Sequence, residues 1–125
     1  MKKLFISCPV KGRKIGDVIK TRKKMHEIAQ IVFDQELEVI DSVQAKEIMD
    51  GDTFDSLVHH ITCLKDANYF IGINYYGDFW RDCHNELMIA RDYGISMYTV
   101  DMRGVAIDAM GIEGDYYDNF AVGED

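Results

Sequence analysis

The pentapeptide Tyr69-Phe70-Ile71-Gly72-Ile73 decides the fold of this 125-residue chain. It carries no charged residue, which is typical of a strand in the middle of a parallel sheet, where helices cover both faces. The residues before it predict a helix that is capped by Asp52, with Asp55 in the first turn. The apolar residues of that helix recur every three or four positions and predict one buried face: Phe54, Leu57, Val58, Ile61 and Leu64.

The alternation of strand and helix extends in both directions from this pentapeptide. Toward the C-terminus, a helix from about Cys83 to Tyr93 stops at Gly94, and a strand follows from Ile95 to Val100. Toward the N-terminus the pattern predicts three elements: a strand over 3–10, a helix over about 17–35 and a strand over 37–40. Strands that alternate with helices over short connections predict an α/β fold, in which helices cover both sides of a parallel sheet.

The length suits a single domain over residues 1–125, because two cores of half this size would each bury too little apolar surface. Residues 102–125 are expected to form an irregular acidic tail, which contains six acidic residues and one basic residue, Arg103. The sequence leaves two alternatives for this tail. It adds a fifth strand near Val105 to Ile107, or it folds over a neighbouring subunit.

The composition excludes several classes of protein. With 47% hydrophobic residues the chain is too apolar for a disordered protein. No apolar run approaches the roughly 20 residues that cross a bilayer, and the stretch after Lys2 and Lys3 breaks too early for a secretory signal. The chain has three widely spaced cysteines and no CxxC pair: Cys8, Cys63 and Cys83. This spacing does not fit a disulfide framework, so we expect a cytoplasmic protein.

The net charge of −8 is unevenly distributed. The first 24 residues hold nine basic side chains and one acidic one, whereas the other 101 hold five basic and 21 acidic ones. This acidic remainder repels a long polyanion, so we exclude long nucleic acid as a partner, but a small phosphorylated ligand meets less repulsion. The basic residues of the first helix, including Arg22, fit a solvated face. Three basic residues before it form either a solvated loop or a local anion site: Lys11, Arg13 and Lys14.

Ligands of open parallel sheets bind beyond the carboxyl ends of the strands, where segments 7–14 and 74–86 are expected to meet. Besides a surface turn, the first segment allows a cradle of backbone amides for a phosphate or sugar. A phosphatase loop built on the Cys8 thiolate is disfavoured, because lysine stands where such a loop needs a bidentate arginine. Two predicted helices carry histidines and cysteines that could hold a metal: His59, His60, Cys63, Cys83 and His84. Ordinary packing is favoured over a metal site for these residues, and no metal or cofactor is predicted.

Glu86 is the main candidate for catalysis. We predict it in the first turn of the helix after the central strand, where the helix N-terminus favours its ionised form. An ionised carboxylate can act as nucleophile at a sugar carbon, while a second, protonatable carboxyl group serves as general acid. The alternative is a surface glutamate that the helix dipole favours. Three aspartates are available as the second group: Asp55, Asp78 and Asp82.

Several short motifs resemble those of nucleoside 2-deoxyribosyltransferase-like proteins, and more specifically a small, mostly bacterial and phage branch of unknown function. Residues 5–10, Phe-Ile-Ser-Cys-Pro-Val, resemble the ISGPM opening of the family. Residues 65–70, Lys-Asp-Ala-Asn-Tyr-Phe, are similar to the family's entry to its third strand. Residues 80–90 resemble its S-x-G-A-x-x-E-x-x-x-A block, with Glu86 at the position of the glutamate. The resemblance covers residues 3 to 100.

This resemblance implies a flavodoxin-like three-layer sandwich with a four- or five-stranded parallel sheet. It also implies cleavage or transfer of the N-glycosidic bond of a nucleoside or nucleotide. The glutamate matching Glu86 attacks the anomeric carbon, and Asp55 is the nearest counterpart of the aspartate that assists it in the family. The residues of this chain offer Asp55 or Asp82 as the acid/base. A neighbouring subunit commonly completes such sites, so a homo-oligomer is implied. The substrate site is expected to include nine residues: Ser7, Cys8, Pro9, Gly12, Arg13, Tyr75, Asp78, Trp80 and Asn85.

Three departures from the family pattern bear on the expected pocket. Cys8 and Asp82 stand where the family has glycine, and Trp80 stands where it has serine. The indole and the additional carboxylate narrow the expected pocket and change its charge. These departures keep a second hypothesis open, a non-catalytic nucleotide-binding module that acts as a sensor or sequesters its ligand. A third is a purely structural role for a small acidic oligomer.

Overall fold

The structure is a computed structural model that describes residues 1–8, 10, 14–43, 54–74, 81–101 and 121–122. These residues show the predicted α/β fold, with four parallel strands and three helices, compatible with a flavodoxin-like three-layer sandwich. The elements in chain order are β1 (Lys2–Ile6), α1 (Ile15–Val32), β2 (Leu37–Val39), α2 (Phe54–Leu64), β3 (Tyr69–Asn74), α3 (Arg81–Asp92), β4 (Ser96–Asp101) and β5 (Ala121–Val122).

The strands lie in the order β2-β1-β3-β4-β5. β1 pairs in parallel with both β2 and β3, and β3 pairs in parallel with β4. The short β5 is antiparallel to β4, so the fifth strand does not extend the parallel sheet. The predicted strand near Val105 to Ile107 lies outside the residues that the structure describes. Because the chain leaves β1 toward β2 and later returns to β3 on the other side, the strand order reverses between β1 and β3. Doubly wound sheets bind ligands at this reversal, beyond the carboxyl ends of the strands.

Each face of the sheet buries its own apolar cluster. Successive strand residues point to opposite faces, so Leu4 and Ile6 of β1 pack toward α1, whereas Phe5 packs toward α2 and α3. The α1 side is completed by the apolar stripe that the spacing predicts: Val18, Met25, Ile28 and Ala29. The other side is completed by one residue of α2, two of α3 and two strand residues: Leu64, Leu87, Ala90, Phe70 and Met97.

Several element boundaries differ from the predicted ones by two to four residues. β1 ends at Ile6 and not at Val10, and α3 begins at Arg81 and not near Cys83. The predicted stop after α3 is confirmed, because Gly94 has a φ of 74°, in the left-handed region that favours glycine.

The prediction of one buried apolar face on α2 is wrong. Phe54, Val58 and Ile61 are 79%, 49% and 40% exposed. The helix instead buries Ser56, His60 and Leu64, which recur every four residues along its inner face. Two polar side chains therefore point toward the sheet, and the contacts of His60 described below give the physical reason.

Candidate functional site

The carboxyl end of β1 is held in place by β3 and by α1. The backbone N–H of Ser7 donates to the carbonyl oxygen of Ile71 over 2.9 Å, which extends the pairing with β3 past the last residue of β1. Arg22 of α1 donates to the carbonyl oxygens of Ile6 and Ile40, at 3.1 and 3.4 Å. The assignment of Arg22 to a solvated helix face is therefore wrong, because this half-buried side chain ties α1 to the ends of β1 and β2.

Glu86 lies on the inner face of α3. It is the sixth residue of the helix and belongs to its second turn, so the prediction of a first-turn position is wrong. The neighbouring inner-face residues Cys83, Leu87 and Ala90 are buried as well. The field of a helix end falls off within its first turn, so Glu86 lies beyond the part of α3 where that field is strongest.

The carboxylate of Glu86 is bonded on both oxygens. The hydroxyl of Ser7 donates to Oε1 over 2.6 Å, a distance typical of a hydroxyl that donates to a carboxylate anion. His60 Nδ1, from α2, bonds Oε2. Glu86 is only 3% exposed and His60 only 7%. These three side chains, the Ser7–Glu86–His60 cluster, thus join β1, α3 and α2 in a buried polar group.

The order of the bonds tells which member of the cluster is set up to react. In serine hydrolases the imidazole stands between the hydroxyl and the carboxylate, and it takes the proton of the serine. Here the carboxylate stands in the middle, so the imidazole does not activate Ser7. A carboxylate offers about four lone-pair sites, and the two bonds use two of them. Glu86 therefore keeps lone pairs for an electrophile while its partners fix its orientation.

Aromatic rings lie beside the cluster on the same side of the sheet. The ring of His60 stands edge-on to Phe5, with centroids 6.2 Å apart and planes at 72°. Phe5 in turn stacks on Phe70 at 5.7 Å. Both phenyl rings are fully buried, so the imidazole and the carboxylate have apolar surroundings in which electrostatic interactions are stronger than in water.

A row of small residues crosses the sheet at the level of Ser7. Gly72 of β3 pairs with Thr99 of β4, and the register of β1 with β3 places Ser7 one residue beyond the Ile6 and Ile71 pair, next to Gly72. A Cβ atom on Gly72 would lie 2.5 Å from Cε1 of Phe70, so the phenyl ring needs a glycine there. Thr99 Oγ1 is buried and has no hydrogen-bond partner among the described residues. It is a polar group that a ligand can satisfy.

The structure brings Glu86 and Ser7 together and places three other predicted site residues elsewhere. Cys8 is buried in the apolar cluster on the α1 side, opposite the face that carries Glu86. Asp55 is exposed on the first turn of α2, and Asn85 is half-buried on α3. Asp82 belongs to α3, but the structure does not describe its side chain. The remaining predicted residues lie outside the described parts of the chain: Pro9, Gly12, Arg13, Tyr75, Asp78 and Trp80.

His60 is the site residue that the sequence analysis missed. Its only sequence signal is the spacing of Ser56, His60 and Leu64, which marks a helix face beside the apolar one. As for the metal alternative, no group of three or more metal-ligating side chains is found in the part of the chain that the structure describes. His59 Nε2 and Cys63 Sγ, which share one helix face, lie 3.7 Å apart. None of the helices described here is both long and apolar enough to cross a membrane.

Comparison of the chain with models of protein families, with curated proteins and with solved structures finds no match in any of the three. The strand order and the Ser7–Glu86–His60 cluster therefore carry the functional argument.

Proposed function

We propose that this protein cleaves or transfers the N-glycosidic bond of a small nucleoside or nucleotide, with Glu86 as the nucleophile. The observation that carries the proposal is the bond between Glu86 and Ser7, because it sets a buried carboxylate against the carboxyl end of β1. This is where the strand order reverses, the place where doubly wound sheets bind ligands. The resemblance of residues 80–90 to the glutamate block of nucleoside 2-deoxyribosyltransferase-like proteins gives independent support.

The chemistry uses two displacements at the anomeric carbon of the sugar. An oxygen of Glu86 bonds to that carbon, the bond to the base nitrogen breaks, and its electron pair leaves on the base, which takes up a proton. In the second step water or another base attacks the same carbon. The ester to Glu86 breaks, the carboxylate re-forms and the attacking group loses its proton. The net reaction is hydrolysis with water and base exchange with a second base.

The test follows the free base by chromatography after incubation with 2′-deoxynucleosides and their 5′-monophosphates. The wild-type chain releases base from at least one substrate, and Glu86→Gln lowers that rate on the order of 10³-fold or more, because the amide is a poor nucleophile. Glu38→Gln is the matched control, since Glu38 is an exposed glutamate of β2. Unchanged release by Glu86→Gln would remove Glu86 from the mechanism.

A second candidate is a nucleotide-binding module without catalysis. The observation that favours it is that both oxygens of Glu86 already have a hydrogen-bond partner in the protein. Such a module retains an intact nucleotide for hours without releasing base. At a ligand concentration of about a hundred times the Kd, binding raises the free energy of unfolding by about 2.7 kcal/mol. Thermal unfolding and base release, measured on the same sample, separate the two candidates.

We further propose a cytoplasmic homo-oligomer. None of the three cysteines, all of which the structure describes, forms a disulfide bond, which is consistent with a reducing compartment: Cys8, Cys63 and Cys83. The exposed apolar side chains of α2, namely Phe54, Val58 and Ile61, support association because a second copy can cover them. Light scattering of the purified chain tests this. A species with the 14.4 kDa mass of one chain at all concentrations would contradict it.

A further inference from the structure

We propose that His60 both positions Glu86 and acts as the general acid of the reaction. In its protonated form it holds the buried carboxylate ionised and oriented, and it gives up its proton when that carboxylate becomes an ester. This inference rests on the proposed function for its second half, the proton transfer. Its first half, the ion pair, stands on the contacts of the resting protein alone.

The contact at Oε1 fits the ionised Glu86 that the proposal requires. The hydroxyl of Ser7 donates to this oxygen over 2.6 Å, within the range of a hydroxyl that donates to a carboxylate anion. Hydrogen bonds that a carboxylate accepts favour its charged form. The bond at Oε2 is then a donation from Nδ1 of His60, because an ionised carboxylate has no proton to give.

A buried anion needs a compensating cation. Glu86 is 3% exposed, and an unpaired charge at that depth costs several kcal/mol. A neutral imidazole can donate from Nδ1 but adds no charge, whereas an imidazolium donates and also neutralises the carboxylate. The other titratable or charged side chains of α2 and α3 are nine: Asp55, His59, Cys63, Arg81, Asp82, Cys83, His84, Arg91 and Asp92. Among these, Asp55, Arg91 and Asp92 are exposed to solvent, and α2 carries no lysine or arginine.

Reaction at Glu86 removes the anion that stabilises the imidazolium. When an oxygen of Glu86 bonds to the anomeric carbon, the carboxylate becomes a neutral ester, and His60 is left as a buried cation against Phe5. Loss of the opposite charge favours the neutral imidazole. The proton passes to the base nitrogen that received the electron pair of the broken bond. In the second step the attacking water or base returns a proton to the imidazole as the carboxylate re-forms.

The ion pair is tested by ¹⁵N NMR of the imidazole rings at pH 7, which needs no turnover. We expect both ring nitrogens of His60 to be protonated in the wild-type chain and the ring to be neutral in Glu86→Gln. His60→Asn assigns the signals, and His59→Asn is the matched control on the same helix. A neutral His60 ring in the wild-type protein, or a spectrum that Glu86→Gln leaves unchanged, would overturn the inference.

The proton transfer is tested with two substrates that differ in their leaving group. The amide nitrogen of Asn stands where Nδ1 of histidine stands, so His60→Asn still orients Glu86 but carries no exchangeable charge. We expect this variant to keep KM within about threefold and to lose at least tenfold in kcat on 2′-deoxyguanosine. On 7-methyl-2′-deoxyguanosine, whose base leaves as a neutral molecule, we expect kcat within threefold of the wild type.

If His60→Asn loses kcat equally on both substrates, the proton transfer is overturned. The NMR measurement then still decides whether the ion pair exists. His60→Gln, whose amide stands at the position of Nε2, loses activity on both substrates because it does not orient Glu86. Full activity of His60→Gln on both would overturn the positioning role. A wild-type protein that releases no base refutes the proposed function and with it the proton transfer, and the NMR measurement still tests the pair.

Discussion

Replacing His60 with leucine should make the stability of the protein depend strongly on pH. In this variant Glu86 keeps its bond from Ser7 but loses the side chain that neutralises it. A carboxyl group as buried as this one has no water to replace the lost partner. We therefore expect the variant to fold with Glu86 protonated, although the same carboxyl group is ionised in the unfolded chain at neutral pH.

The magnitude follows from the cost of holding that proton. A glutamic acid side chain in an unfolded chain has a pKa of about 4.3, and each pH unit above it costs about 1.4 kcal/mol. The cost is about 3.7 kcal/mol at pH 7 and about 1 kcal/mol at pH 5. Because the folded variant binds one proton more than the unfolded variant, its free energy of unfolding falls as the pH rises. The wild-type pair loses less than about 1 kcal/mol over the same interval, through the ordinary titration of a histidine near pH 6.5 in the unfolded chain.

The assay is urea denaturation followed by far-UV circular dichroism at pH 5, 6 and 7 and at constant ionic strength. The double variant His60→Leu and Glu86→Gln is the control, because it has no group at the site that can ionise. We expect the steep pH dependence in His60→Leu and its loss in the double variant. A His60→Leu variant with the wild-type pH dependence would refute the view that His60 compensates a buried charge.

Two further substitutions test the packing around the cluster. Ser7→Ala removes a hydrogen bond to a buried anion and should lower the free energy of unfolding by about 1.5–3 kcal/mol in urea titrations at pH 7, and a loss below 0.5 kcal/mol would contradict the contact with Glu86. Gly72→Ala places a methyl group 2.5 Å from the ring of Phe70 and should cost about 1–3 kcal/mol by the same measurement, part of which Phe70→Leu should restore in the double variant.

The architecture was predictable because it depends on patterns that repeat along the chain. The apolar run at Tyr69–Ile73 and the stripe of α1 fix a buried parallel sheet and the side on which α1 packs. Connectivity then brings the segment after β1 and the start of α3 to one edge of the sheet, which is why Ser7 and Glu86 could be expected near each other. The start of α1 was missed by two residues because its cap, Lys14, makes no side-chain bond and so leaves no signal.

The role of His60 could not be predicted, because the sequence of α2 favours a different orientation of the helix. Its apolar residues predict a buried face, and period alone cannot show that Ser56 and His60 take the inner positions. Rotation of a helix about its own axis is decided by contacts with other elements. Here the deciding contact is with Glu86, 26 residues further along the chain.

The orientation of α2 leads to a last prediction about what the pair is for. Within a single chain, each exposed apolar side chain of α2 gives up part of the about 1.5–3 kcal/mol that full burial supplies, so the helix is turned against its own hydrophobic pattern. A buried ion pair is an inefficient way to recover that energy, since apolar residues of similar size often stabilise a protein by a further 1–4 kcal/mol. The double variant His60→Leu and Glu86→Leu should therefore be at least as stable as the wild type in urea at pH 7 and should release no base. If the double variant is instead less stable than the wild type by more than 1 kcal/mol, the His60–Glu86 pair itself stabilises the fold. Stability alone would then explain why two charged side chains lie in an apolar layer, and the functional explanation would be refuted.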